Sequence, residues 1–136
     1  MHFKKGFKFY GLIGLIFVLL AQLNFIFKIE PFASWYFPII WFGYIFAIDA
    51  IVYKIKGSSL ISKRIGSFVT IVLLSAIFWY IFEFANIFLG NWAYSGLGGI
   101  GPWQSITLFK LLSFSTVLPA LFETSELIRS LNLFEN

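Results

Sequence analysis

The chain of 136 residues is 60% hydrophobic, 22% aromatic and only 12% charged, with a net charge of +4. A soluble fold of this length has too little interior to hide so many Phe, Ile and Leu side chains, so the composition excludes an ordinary soluble domain and points to a bilayer. There is no Cys and a single His, His2, near the start of the chain, which excludes disulfides, thiolate metal sites and Ser–His–Asp or Cys–His catalysis.

A helix crossing the hydrocarbon core needs roughly 20 mostly apolar residues, and four such runs follow one another. The first covers residues 9–27, after Lys4, Lys5 and Lys8. Its apolar run is too long for a signal-peptide core and no small-x-small cleavage site follows, so it reads as an uncleaved span. The second covers residues 35–53, with Pro38 in the first turn, where a missing N–H costs little. The third covers 66–88 and the fourth, the most polar, 104–124. Pro119 is expected to kink the fourth span, with Ser115 or Thr116 re-satisfying the freed backbone groups. Membrane β-barrels show alternating segments of about 10 residues, whereas these runs are continuous. The expected architecture is therefore all-α, a single membrane domain over residues 1–136 built as an up-down four-helix bundle.

The basic residues set the expected orientation. Lys4, Lys5, Lys8, Lys54, Lys56, Lys63, Arg64 and Arg129 fall on one side of four crossings, and Lys28 faces the other. The positive-inside rule then places both termini and the 54–65 loop in the cytoplasm. The expected location is the cytoplasmic membrane of a prokaryotic cell. With the basic residues beside apolar spans, the excess charge reads as membrane topology, and nucleic acid is not an expected partner. All five Trp, at 35, 41, 79, 92 and 103, fall in the outer half. Trp35, Trp92 and Trp103 read as interfacial anchors; Trp41 and Trp79 lie deeper, as cavity-lining or space-filling residues.

Charges within a span cost roughly 2.5–3.5 kcal/mol each on insertion scales, so they require a partner, water or a function. Glu83 lies 17 residues beyond Gly66 and Lys110 six beyond Gln104. At about 1.5 Å per residue, both come to a similar depth in the outer half, on antiparallel neighbours. An ion pair between them is expected. Trp79 and Asn86 share a helical face with Glu83, and Ser113 shares one with Lys110. Glu83, Asn86, Lys110, Ser113 and Trp79 thus make a candidate polar network or ligand site, with Asn91, Trp92 and Tyr94 of the next loop as a candidate lid. That loop contains a literal GxGxxG at Gly96, Gly98 and Gly101. It lacks the strand before and helix immediately after that dinucleotide binding requires, and reads as a tight loop over the helix ends.

At the inner end, Asp49 and Glu123 are expected to pair with Lys54, Lys56, Lys63 or Arg64, with a cytoplasmic carboxylate site as the alternative. Glu126 and Arg129, three apart, read as a surface pair. No catalytic residue, metal site or cofactor is expected. The leading functional expectation is a small accessory or interaction subunit held by a buried Glu–Lys network, in a homo-oligomer or beside a membrane partner protein. The first alternative is binding or transport of a lipid-like, amphipathic molecule through the Trp-rich outer half. The second is a membrane enzyme acting on a lipid or isoprenoid, with Glu83 or Glu123 as general acid.

Overall fold

The computed structural model describes residues 3–132; His2 lies outside them. The order is α1 (Phe9–Phe27), α2 (Tyr36–Lys56), a short α3 (Leu60–Lys63), α4 (Ile65–Leu89), a 3-10 turn at Leu97–Ile100, α5 (Trp103–Ser115) and α6 (Val117–Ser130). The described residues contain no strand. Four helices are long and apolar enough to cross a membrane: α1, α2, α4, and α5 with α6 as one unit over Trp103–Ser130. The first and third begin and end within a residue of expectation. The second runs three residues further, and the fourth extends to Ser130.

Three of the long helices, α1, α2 and α4, stop at a recognisable signal. Gly57 and Gly90 close α2 and α4 with positive φ of 82° and 60°, a conformation in which glycine carries no Cβ penalty. At the end of α1, Asn24 receives the Ile29 N–H at 2.8 Å and returns its own amide to the Ile29 carbonyl at 3.2 Å. At the other end of the molecule, the N–H groups of Lys4 and Lys5 both donate to the Lys54 carbonyl, at 3.0 and 3.3 Å. Lys8 lies 4.4 Å from the Tyr53 ring centroid. These contacts tie the start of the chain to the end of α2. The molecule therefore has a basic end, holding the N-terminal segment and the α2–α4 connection, and a tryptophan-rich end.

The spans pack side by side in a row. Helix α1 packs on α2, α2 on the α5–α6 unit, and that unit on α4; α1 meets no other span to a comparable extent. The apolar windows of the two outermost helices, α1 and α4, are only 17% and 11% buried, against 44% for α2. The α1–α2 seam is close because it is built from small residues, the usual means by which membrane helices gain contact without a hydrophobic driving force. A Cβ at Gly14 would lie 2.5 Å from the Gly43 carbonyl oxygen and 2.8 Å from the Ala47 nitrogen, and one at Gly43 would lie 2.8 Å from the Gly14 oxygen.

The fourth span is broken at Thr116, between α5 and α6. The break falls just before Pro119, and both hydroxyls expected to serve freed backbone groups bond carbonyls in the last turn of α5. Ser115 and Thr116 hydroxyls donate backward within α5, to Leu112 and Ser113 carbonyls at 2.7 and 2.6 Å. The gap itself is bridged from α4. Ser75 Oγ accepts the Leu118 N–H at 3.1 Å and donates to the Phe114 carbonyl at 2.5 Å. Leu118 and Phe114 are the i and i−4 partners of an unbroken helix. A neighbouring side chain has been inserted into the ladder, one of the recognised causes of a helix kink.

Candidate functional site

Near the tryptophan-rich end, α4 and α5 run antiparallel, and Lys110 Nζ lies 2.8 Å from Glu83 Oε1. Both side chains are mostly covered, with 26% and 18% of their area exposed. The ion pair offsets the cost of placing two charges within spans. The second carboxylate oxygen, Oε2, accepts the Tyr94 hydroxyl at 2.9 Å. Lys110 also stands 4.7 Å from the centroid of the Tyr94 ring. Burial raises the Tyr94 phenol above its ordinary value, and the bond to Glu83 adds to the effect, so the phenol remains a donor at neutral pH.

Asn86, one turn after Glu83, shapes the loop that brings Tyr94 back. Its Oδ1 accepts the N–H groups of Asn91 and Trp92 at 2.8 and 3.1 Å, and its Nδ2 donates to the Trp92 carbonyl at 2.8 Å. Asn91, Trp92 and Tyr94 thus sit over the end of α4, Tyr94 reaching Glu83 directly while Asn91 and Trp92 reach Asn86. The glycine segment continues across the helix ends, with Gly96 and Gly101 at φ of 76° and 101°. Ile100 is buried, and Gly99 abuts Ser34 and Glu30 of the first connection.

Beneath this arrangement lies a cavity of about 750 Å³. Its walls are Phe37 of α2, Trp79 and Phe82 of α4, and Phe109, Phe114 and Val117 of the fourth span; Lys110, Ser113, Trp92, Tyr94, Ser95 and Leu97 complete it. Phe114 is held by an edge contact with Tyr80 at 5.0 Å and by Trp79 at 6.2 Å between centroids. Ser113 is 6% exposed, and its hydroxyl has no hydrogen-bond partner among the described residues. A second cavity of about 790 Å³ shares Phe37, Trp79 and Val117 and continues toward Gln22, Trp41, Tyr44 and Thr124. Trp41 and Trp79, the two deep tryptophans, both line these spaces. Trp35 instead packs edge-on against Phe109 at 5.6 Å, and Trp103 is 71% exposed.

The basic end departs from expectation. Asp49 and Glu123 were expected to meet the interfacial lysines and Arg64; both are fully buried, and among the described residues neither lies within ion-pair distance of a basic group. Asp49 is held by donors from three places. Tyr10 hydroxyl reaches Oδ2 at 2.5 Å, Ser59 Oγ reaches the same oxygen at 2.7 Å, and Ile61 N–H reaches Oδ1 at 2.8 Å. The interfacial bases go to Glu126 instead, Lys56 at 3.1 Å and Arg64 at 3.7 Å. Glu126 therefore pairs across the fold and not with Arg129, because the end of α2 brings Lys56 to it and the α3–α4 link brings Arg64.

No group of three or more His, Cys, Asp or Glu among the described residues is placed to hold a metal ion. Comparison with protein-family models, with curated proteins and with solved structures found no match.

Proposed function

We propose that this multi-pass protein binds a neutral, lipid-like molecule with a single hydrogen-bonding group, such as a hydroxyl or carbonyl, in the cavity between α2, α4 and the fourth span. The observation that carries this reading is the 750 Å³ cavity, walled by aromatic rings with a few polar groups among them. Its size and its mostly apolar lining are those of small-molecule sites in general. Lys110 and Glu83 neutralise one another, so the polar side offers no net charge to an ionic headgroup. Tyr94 and the unpartnered Ser113 hydroxyl offer hydrogen bonds. By the positive-inside rule the basic end is cytoplasmic, so the cavity opens in the outer half of the membrane and a ligand enters laterally from lipid.

A second reading, an accessory subunit packed against partner helices or a second copy, is favoured by one observation: the outermost helices of the row bury little of their apolar surface within the chain. Native mass spectrometry on gently extracted protein separates the two. The binding reading expects a one-to-one adduct on wild type that is lost in folded Glu83→Gln, where Lys110 and Tyr94 lose their anchor. Adduct-free protein, or lipid carried equally by both forms, overturns it. A bare oligomer or partner complex identical in both supports the accessory reading.

A further inference from the structure

Glu123 occupies a place that an isolated carboxylate cannot hold. It is 0% exposed, and neither Oε1 nor Oε2 has a hydrogen-bond partner among the described residues. The ionisable groups that act on it are Asp49 of α2, Tyr10 of α1, Arg64 before α4, and Glu126 of its own helix. Asp49 is equally buried and has its three donors. Arg64 and Lys56 are engaged with Glu126. The fold therefore brings two fully buried carboxyl groups together, satisfies one with donors, and leaves the other without a donor among the described residues. Uncompensated burial of an ion is prohibitive, and a facing like charge makes it worse.

We propose that Asp49 and Glu123 form a site for one exchangeable monovalent cation at the basic end of the protein, with Glu123 supplying the open oxygen atoms. This inference is independent of the outer cavity. The side-chain oxygens gathered there, from Asp49, Glu123, Ser59 and Tyr10, are a hard set suited to a proton or an alkali ion and not to a soft transition metal. Glu123 is fully buried and lines neither of the two cavities described above, and the occupant proposed is a small ion and not an organic cation. When the occupant is a proton, loading forms one O–H bond on a Glu123 oxygen with a proton delivered by water at the basic end. Unloading breaks that bond and returns the proton to water. Asp49 is on α2 and Glu123 on α6, two elements in direct contact. Occupancy removes the repulsion between them and vacancy restores it, so cation exchange biases the α2–α6 contact and the inner half of the row.

Two measurements on intact wild-type protein in micelles test the site and distinguish its occupants. For a proton, infrared spectra show a protonated-carboxyl band that shifts in D2O and disappears in Glu123→Gln. For an alkali ion, sodium or potassium raises the thermal midpoint above that in choline at equal ionic strength, and the response is lost in Glu123→Gln. Glu123→Gln removes the charge while keeping the shape, and is expected to fold with a midpoint equal to or above wild type. Asp49→Asn provides a second variant, in which the same band or response is altered. Wild type lacking both the band and the cation response overturns the proposal, as does a band or response that persists unchanged in both variants.

Discussion

Replacing Ser75 by alanine removes one hydroxyl that serves two backbone groups of another span. Ser75 is 1% exposed, and its hydroxyl accepts Leu118 N–H at 3.1 Å and donates to the Phe114 carbonyl at 2.5 Å. Side-chain hydrogen bonds between membrane helices contribute on average about 0.6 kcal/mol and at most about 1.7. Losing two of them at once is expected to cost about 1–3 kcal/mol, because both backbone groups are left in a dry interior. The cost stays at the upper end if Pro119 prevents the chain from re-forming the direct Leu118–Phe114 bond, and falls if α5 and α6 straighten into one helix. Equilibrium unfolding in mixed micelles, followed by circular dichroism, gives the difference. Thr70→Ala is the control. Its hydroxyl bonds only to the Gly66 carbonyl of its own helix, at 2.9 Å on an exposed face, and its loss is expected to cost less than about 0.5 kcal/mol. If Ser75→Ala is no more destabilising than Thr70→Ala, the break is held by the proline alone and the bridging argument is wrong.

Two further outcomes follow from the same geometry. Neutralising Glu83 or Lys110 singly, as Glu83→Gln or Lys110→Met, leaves one charge within the spans without its partner. Each is expected to cost about 1–3 kcal/mol, with the double variant recovering at least about 1 kcal/mol relative to the sum; additive losses in a double-mutant cycle of micellar stability refute the pairing. Gly14→Ala places a Cβ against the Gly43 oxygen and Ala47 nitrogen, backbone atoms that no rotamer change can move. It is expected to destabilise the α1–α2 seam by about 1–3 kcal/mol, and an unchanged thermal midpoint contradicts so close an approach.

Much of this arrangement could be read along the chain. Hydropathy located the four spans, because a bilayer obliges each apolar stretch to satisfy its own backbone as a helix. The helical rise then fixed depth, which is why Glu83 and Lys110 could be matched before any helix was placed beside another. The tight α1–α2 seam went unread, although Gly43 and Ala47, four apart, carried the signal of a close-packing face. Position along a helix axis is a local quantity; the direction a residue faces and the neighbour it meets are not. Asp49 was correctly set near the basic end, yet only the packing of α1 and α3 against α2 gave it Tyr10, Ser59 and Ile61 in place of a lysine. Glu126 gained Lys56 and Arg64 in the same way, which left Glu123 enclosed behind it. The break in the fourth span was announced by Pro119, but its bridge came from Ser75, an isolated hydroxyl in an apolar run with no pattern to mark it. Sequence alone therefore determined how many helices are long and apolar enough to cross a membrane and where along each one its charges fall, since length, hydropathy and helical rise decide both. Only the tertiary structure decided the row, the aromatic cavity and the meeting of Asp49 with Glu123, because these depend on the rotation and order of helices that the bilayer leaves free.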